Sequence, residues 1–233
     1  MPNVPLTWLG HATFRFDTPS GKRVYVDPWL EGPTCPDDEK EPERVDLIAL
    51  THGHDDHFGQ TVELAQKHAC PVVALVELRG WLSTQGLPEE VAHAGNKGGT
   101  INVDGVKVTF VNAHHSSSVW GEAGPIYTGE AAGLVIEAEN GTKLYFAGDT
   151  CVFGDMQLIG RIYEPDVAII PIGDHFTMGP REAAVALELL GIGRCVPCHY
   201  GTFPVLTGTP AELRELAGNV EILKMQPGET VEI

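Results

Sequence analysis

One seven-residue segment constrains this chain more than any other feature. Thr51 to His57, THGHDDH, place three histidines and two aspartates between an apolar run, VDLIAL (45–50), and a stretch with helical spacing, GQTVELAQKH (59–68). The run has the length of a buried strand, and Val62, Leu64 and Ala65 supply the apolar side of a helix. The chain must therefore end a strand, turn tightly and start a helix here, which aims several side chains at one point. Imidazole nitrogens and carboxylate oxygens suit Zn2+ or a similar divalent ion. Protonated imidazoles this close would repel one another, and a metal removes the conflict because it binds the neutral form.

Other residues of the same chemistry stand at the ends of other strand-like runs: Asp27 in YVDPW, His114 and His115 in VNAHHSS, Asp149 in FAGDT and His199 in PCHYGTFP. Each alone is well explained by hydrogen bonding in a loop. Beside the 51–57 cluster they read as ligands gathered at the rim of a sheet, with Gly148 letting the chain approach closely before Asp149. The runs 4–9, 12–17 and 22–27 predict an antiparallel meander, followed by a solvated acidic loop from Glu31 to Arg44. Strands are expected at 45–50, 72–75, 106–111, 132–138, 143–147, 167–172, 194–197 and near 220–224, with Asn140-Gly141 as a hairpin turn. Helical patterns at 77–85, 181–190 and 211–217 alternate with them, and the 116–130 segment is expected to be a mobile loop. Hairpins make both halves mixed, so the pattern predicts a layered α/β sandwich rather than a doubly wound parallel sheet.

The 233 residues suit one domain spanning 1–233, and 42% apolar content is enough for a sizeable core. Fifteen basic against 32 acidic residues give a net charge of -17, which disfavours nucleic acid and anionic membranes as partners. The N-terminus has no basic region followed by a long apolar core, and no run is long enough to span a bilayer, so a cytoplasmic protein without membrane insertion is expected. The five cysteines are odd in number and scattered, which predicts free thiols. CVPCH (195–199) has the CxxCH spacing of haem attachment, but that reading requires export, and a structural zinc would want two more paired cysteines. Buried thiols beside a metal-binding His199 are the simpler reading.

THGHDDH matches the HxHxDH signature of the metallo-β-lactamase superfamily, and His115, Asp149 and His199 follow in the order that superfamily uses. The resemblance extends over nearly the whole chain. WLGHAT, DPW, HSS after His114, GDT, TMGP and HYGTF resemble a subgroup of small metal-dependent hydrolases, with more distant similarity to sugar-phosphate lactonases and an N-acyl-phosphatidylethanolamine phospholipase D. The resemblance implies a four-layer αββα sandwich of two mixed β-sheets. It further implies that His52, His54 and His115 hold one metal ion, Asp56, His57 and His199 a second, and that Asp149 bridges both. Asp27 would support the histidine loop, and of the 114–115 pair the subgroup pattern favours His115. Asp56 and His175 are the candidates for direct catalytic roles, with His11 a second candidate for proton donation or substrate contact.

Two divalent ions imply a dinuclear hydrolase that uses a shared, metal-bridging hydroxide on a small ester, lactone or phosphodiester. Zn2+ is the default for a His-rich set, and Mn2+ or Fe would accept the same ligands. The serines at 116–118 lack a nucleophile elbow and are not read as a triad. The alternative is a metal-binding or sensing protein that keeps the fold without turnover; redox chemistry at two irons is a third reading, without an evident flavin domain. The expected partner is a small molecule, with self-association left open.

Overall fold

Period-two alternation in which both faces are apolar sets the architecture. In the computed structural model, which describes residues 3–233, Val24 and Val26 point one way while Tyr25 between them points the other, and all three are buried. Met1 and Pro2, with which the N-terminal segment read above begins, lie outside the described residues. A strand buried on both faces needs a layer on each side.

The first sheet begins with an antiparallel meander of β1 (Pro5–Trp8), β2 (Phe14–Asp17) and β3 (Arg23–Val26). It continues through parallel β4 (Leu47–Ala49), followed by α1 (Asp55–Phe58) and α2 (Thr61–His68), then β5 (Val72–Leu75), α3 (Val76–Thr84) and β6 (Ala92–Gly95). The second sheet is built from β7 (Thr100–Val103) and β8 (Val106–Asn112). The chain next makes a separate hairpin, β9 (Ser118–Gly121) with β10 (Gly124–Tyr127), before β11 (Ala132–Glu137) and β12 (Lys143–Phe146) return to the second sheet. Parallel crossovers complete it: α4 (Met156–Tyr163), β13 (Val167–Pro171), α5 (Pro180–Leu190), β14 (Arg194–Cys198), α6 (Pro210–Leu216) and β15 (Glu221–Ile222). The last strand, β16 (Thr230–Glu232), crosses back and pairs with β1.

Each large sheet therefore has seven strands and is mixed. Their inner faces share one core in which Phe14 and Phe16 meet Phe146, with ring centroids 5.8 and 6.3 Å apart. Leu64, Ala65, Leu78 and Leu82 of α2 and α3 cover the outer face of the first sheet. Met156, Ala183, Leu187 and Leu213 of α4, α5 and α6 cover that of the second. The result is the four-layer αββα sandwich that the resemblance implies.

The differences from the sequence reading are local. The 116–130 segment, expected to be a loop, holds the β9–β10 hairpin, whose glycine-rich sequence hides its alternation. The helix expected from Gly59 is preceded by a separate turn, α1, inside the histidine motif. Gly59 ends that turn at φ +39, where a Cβ would overlap the Pro28 carbonyl. The acidic stretch 31–44 is not wholly solvated: Cys35 is buried in the core under α2, and Glu39 accepts a bond from Arg15 at 3.1 Å.

Candidate metal centre

The candidate ligands and their supporting Asp27 come from five strand ends at the sandwich rim, two on the first sheet and three on the second. The first sheet contributes Asp27 after β3 and the 51–57 motif after β4; the second contributes His115 after β8, Asp149 after β12 and His199 after β14. Gly148 (φ +62) lets Asp149 reach the motif, since a Cβ there would sit 2.9 Å from both the Ala132 carbonyl and Thr51. His11, Asp27 and His199 all hold positive φ, at 50, 48 and 53. A non-glycine residue in that region costs on the order of 1 kcal/mol, a strain that packing and hydrogen bonds around the site must outweigh.

Two groups of candidate ligands result, and a third cluster joins Asp27 to His52 and His57. His52, His54 and His115 have ligand atoms all within 4.8 Å of one another, as do those of His11, Asp56, His57 and His199. Asp149 lies between the groups: one carboxylate oxygen is 3.1 Å from His199 Nε2 and 3.5 Å from His115 Nε2, and the other is 3.3 Å from His57 Nε2.

Asp27 fixes which ring nitrogens are free. Its Oδ1 accepts from the Thr51 backbone at 2.9 Å, and its Oδ2 accepts from the Thr51 hydroxyl at 2.6 Å and from His57 Nδ1 at 2.8 Å. Because the Thr51 proton is committed to Asp27, its hydroxyl oxygen accepts from His52 Nδ1 at 3.0 Å. That leaves a lone pair on His52 Nε2, 2.9 Å from His54 Nδ1. Two ring nitrogens 2.9 Å apart can share a proton or, with that proton moved to His54 Nε2, offer two lone pairs to a shared cation.

Burial holds His52 well below the usual imidazole range, and burial likewise lowers His54 and His115, so all three favour the neutral, ligating form. His57 differs: burial opposes its charge, but Asp149 and Asp27 outweigh burial and raise it well above that range. For Asp149, burial is outweighed by His199 and His57, and its carboxyl is held well below the usual range. The close approach of His57 Nε2 to Asp149 Oδ1 is an ion-pair distance without hydrogen-bond geometry, and both atoms are buried with no hydrogen-bond partner. Buried donors and acceptors are rarely left so, and a cation between them would satisfy both. The residues present therefore fit a divalent ion in each group.

Of the two sequence candidates beside the ligands, His11 enters the centre and His175 stays outside it. His11 is 1% exposed; its Nε2 donates to Asp56 Oδ2 at 3.1 Å and its Nδ1 accepts from Thr202 at 3.0 Å. Burial lowers its pKa to about 4, so it is neutral and presents one proton to Asp56. His175 is exposed at φ 60 and contacts Phe176 edge-on at 4.4 Å. Phe176, which the sequence reading missed, walls the cavity of about 340 Å3 above the ligands in its place, together with Ser116. His114 turns away, accepting from Asn112 at 3.0 Å and lying over Phe153, while His115 faces Asp149. Cys195 and Cys198 are buried free thiols beside His199.

Comparison with known proteins decides the family. Residues 22–200, more than half of the chain, match the family described as a β-lactamase superfamily domain. The chain belongs to the metallo-β-lactamase superfamily. Within this superfamily, a "UPF0173 metal-dependent hydrolase" of Herpetosiphon aurantiacus is 50% identical over 235 residues, covering 98% of each chain. Igni18, a metallo hydrolase from the archaeon Ignicoccus hospitalis, superposes with a TM-score of 0.88 at 31% identity, covering 100% of this chain and 99% of its own. CmlA, a diiron β-hydroxylase from Streptomyces venezuelae, shares the fold of this superfamily member with a TM-score of 0.76 at 15% identity, over 100% of this chain and 55% of its own.

Proposed function

We propose that this metal-dependent hydrolase of the metallo-β-lactamase fold works with two divalent ions and directs water against a small ester, lactone or phosphodiester. The observation that carries the reading is the position of Asp149, within 3.1–3.5 Å of imidazole nitrogens from both donor groups. His52, His54 and His115 would hold one ion and Asp56, His57 and His199 the other, with Asp149 facing both. Zn2+ suits this set, and Mn2+ or Fe would be accepted by the same nitrogen and oxygen donors. When bound, such ions supply positive charge that lowers the pKa of water and polarises a carbonyl or phosphoryl oxygen.

The chain's own groups do the positioning. Asp27 orients His57 directly and His52 through Thr51. His11 occupies Asp56 Oδ2, which leaves the other carboxylate oxygen for the ion. Ser116, 3.4 Å from His54 Nε2 at the cavity wall, offers a hydroxyl to a substrate oxygen. Phe176, itself half exposed, supplies an apolar patch to the cavity wall. His175 lies outside the cavity lining, so no proton transfer is assigned to it. The curated relative of 50% identity, named a metal-dependent hydrolase, supports the same reaction class.

The test is metal content and turnover on the same samples. Protein loaded with Zn2+ or Mn2+ is expected to hold two ions per chain and to hydrolyse at least one member of an ester, lactone and phosphodiester panel. Asp149→Ala is expected to lose both. Two bound ions with no turnover on any panel would favour the non-catalytic alternative; no bound ion would end the proposal.

A further inference from the structure

A second cavity, of about 300 Å3, adjoins the metal cavity, and His115 lines both. Among the described residues lining the two, Lys97 is the one lysine or arginine. Its ammonium donates to Asn112 Oδ1 at 2.9 Å and to Glu130 Oε2 at 2.9 Å. The position is built into the fold. The 96–99 turn between β6 and β7 places Gly98 at φ +86, bonded to the Phe110 carbonyl at 2.8 Å, and Phe110 bonds back to Gly99 at 3.0 Å. That clamps the turn onto β8, whose end carries Asn112 and leads directly to His114 and His115.

The two partners of Lys97 differ in kind. Asn112 is fixed from both ends, because its amide nitrogen also donates to His114 Nε2 at 3.0 Å. Glu130 is a solvent-facing partner, its side chain 73% exposed against 21% for Lys97. An exposed ion pair is weak and easily exchanged. Replacing one carboxylate by another anion on the same ammonium therefore changes little in free energy, while Asn112 keeps the ammonium in place. In a chain with a net charge of -17, an anionic substrate is repelled at long range and needs a local cation for recognition.

We propose that this cavity is an anion subsite: a carboxylate or phosphate on the substrate displaces Glu130 from Lys97, while the scissile bond lies on the other side of His115, in the metal cavity. The inference rests on the hydrolase reading and narrows it to substrates that carry an acidic group beside the bond that breaks.

The test uses inorganic phosphate and succinate as separate probes, titrated calorimetrically into the zinc-loaded protein. Lys97→Ala is expected to weaken binding of the matching probe roughly 10-fold or more, as for loss of a charge-assisted hydrogen bond. Lys97→Gln, which keeps the stem and its packing, is expected to do the same. Asn112→Ala, which changes no charge, is expected to weaken it too, and Glu130→Gln to tighten it. The probe that responds identifies the acidic group. Affinity unchanged by both Lys97 variants, or no binding of either probe to the wild type, would overturn the subsite. Metal content separates the two readings. Lys97-dependent binding by protein that holds no ion would sink the hydrolase reading alone, whereas Lys97-independent binding with two ions per chain would sink the subsite alone.

Discussion

Asp27 controls two imidazoles with one carboxylate, and that leverage makes it the most informative single residue to change. Asp27→Asn keeps the size but has one acceptor oxygen where three donors now arrive. Either Thr51 or His57 loses its partner, and an amide N–H turned toward His57 Nδ1 would force the proton onto Nε2, the nitrogen the metal needs. Loss of such an orienting bond typically costs 10–100-fold in metal affinity. Competition with a calibrated chelator should show a drop of roughly that size, with Asp27→Ala at least as severe; unchanged affinity would remove Asp27 from its orienting role. At this scale the sequence was legible where residue type and strand ends coincide, as for the 51–57 motif, Asp149 and His199. Phe176 was not legible, because consecutive positive-φ residues at Asp174 and His175 decide which side chain of that turn meets the cavity. Nor was Lys97, a turn residue whose partner Asn112 is fifteen positions away at the end of β8.

Elements were readable in proportion to their burial. Strands such as VVAL and VAIIP, apolar on both faces, announced themselves, whereas β6 and β16 (AHAG and TVE) carry little apolar content and pair with a neighbouring strand, and β7 (TINV) is too short for the alternation of Ile101 and Val103 to stand out. Helix packing gives a test of the same kind. In α4, Gly160 lies against the end of α5, where a Cβ would overlap the Leu190 carbonyl. Gly160→Ala would gain about 1 kcal/mol of helix propensity. A backbone carbonyl cannot rotate away as a side chain would, so overpacking, worth about 1–3 kcal/mol or more, should win. The expected result is a melting temperature lower by several degrees with metal content unchanged, measured by circular dichroism and elemental analysis. An equal or higher melting temperature would mean that α4 and α5 separate without cost.

Over the whole molecule, the candidate ligands tie the two sheets together at one rim, opposite in kind to the apolar core that joins them through the middle. The first sheet supplies His52, His54, Asp56 and His57, and the second supplies His115, Asp149 and His199. Without ions, that rim gathers six imidazoles, counting His11, and three carboxylates, counting Asp27, that are mostly buried, an arrangement favourable only while every charge and lone pair is met. An ion bound by the native rim and not by the unfolded chain stabilises by mass action, about 2.7 kcal/mol at a free concentration one hundred times its dissociation constant. For a chain of this length each kcal/mol corresponds to roughly 2–4 °C in melting temperature. Saturation with Zn2+ should therefore raise the melting temperature of chelator-treated protein by about 5–10 °C for each ion bound. Asp149→Ala, which removes a carboxylate within 3.5 Å of imidazole nitrogens from both groups, should lose most of that increment. His68→Ala, far along α2 from the donors, should retain all of it. If Zn2+ leaves the melting temperature of the wild type unchanged, the rim does not join the sheets through metal, and the buried imidazoles must be held by their hydrogen bonds to Asp27, Thr51 and Asp56 alone.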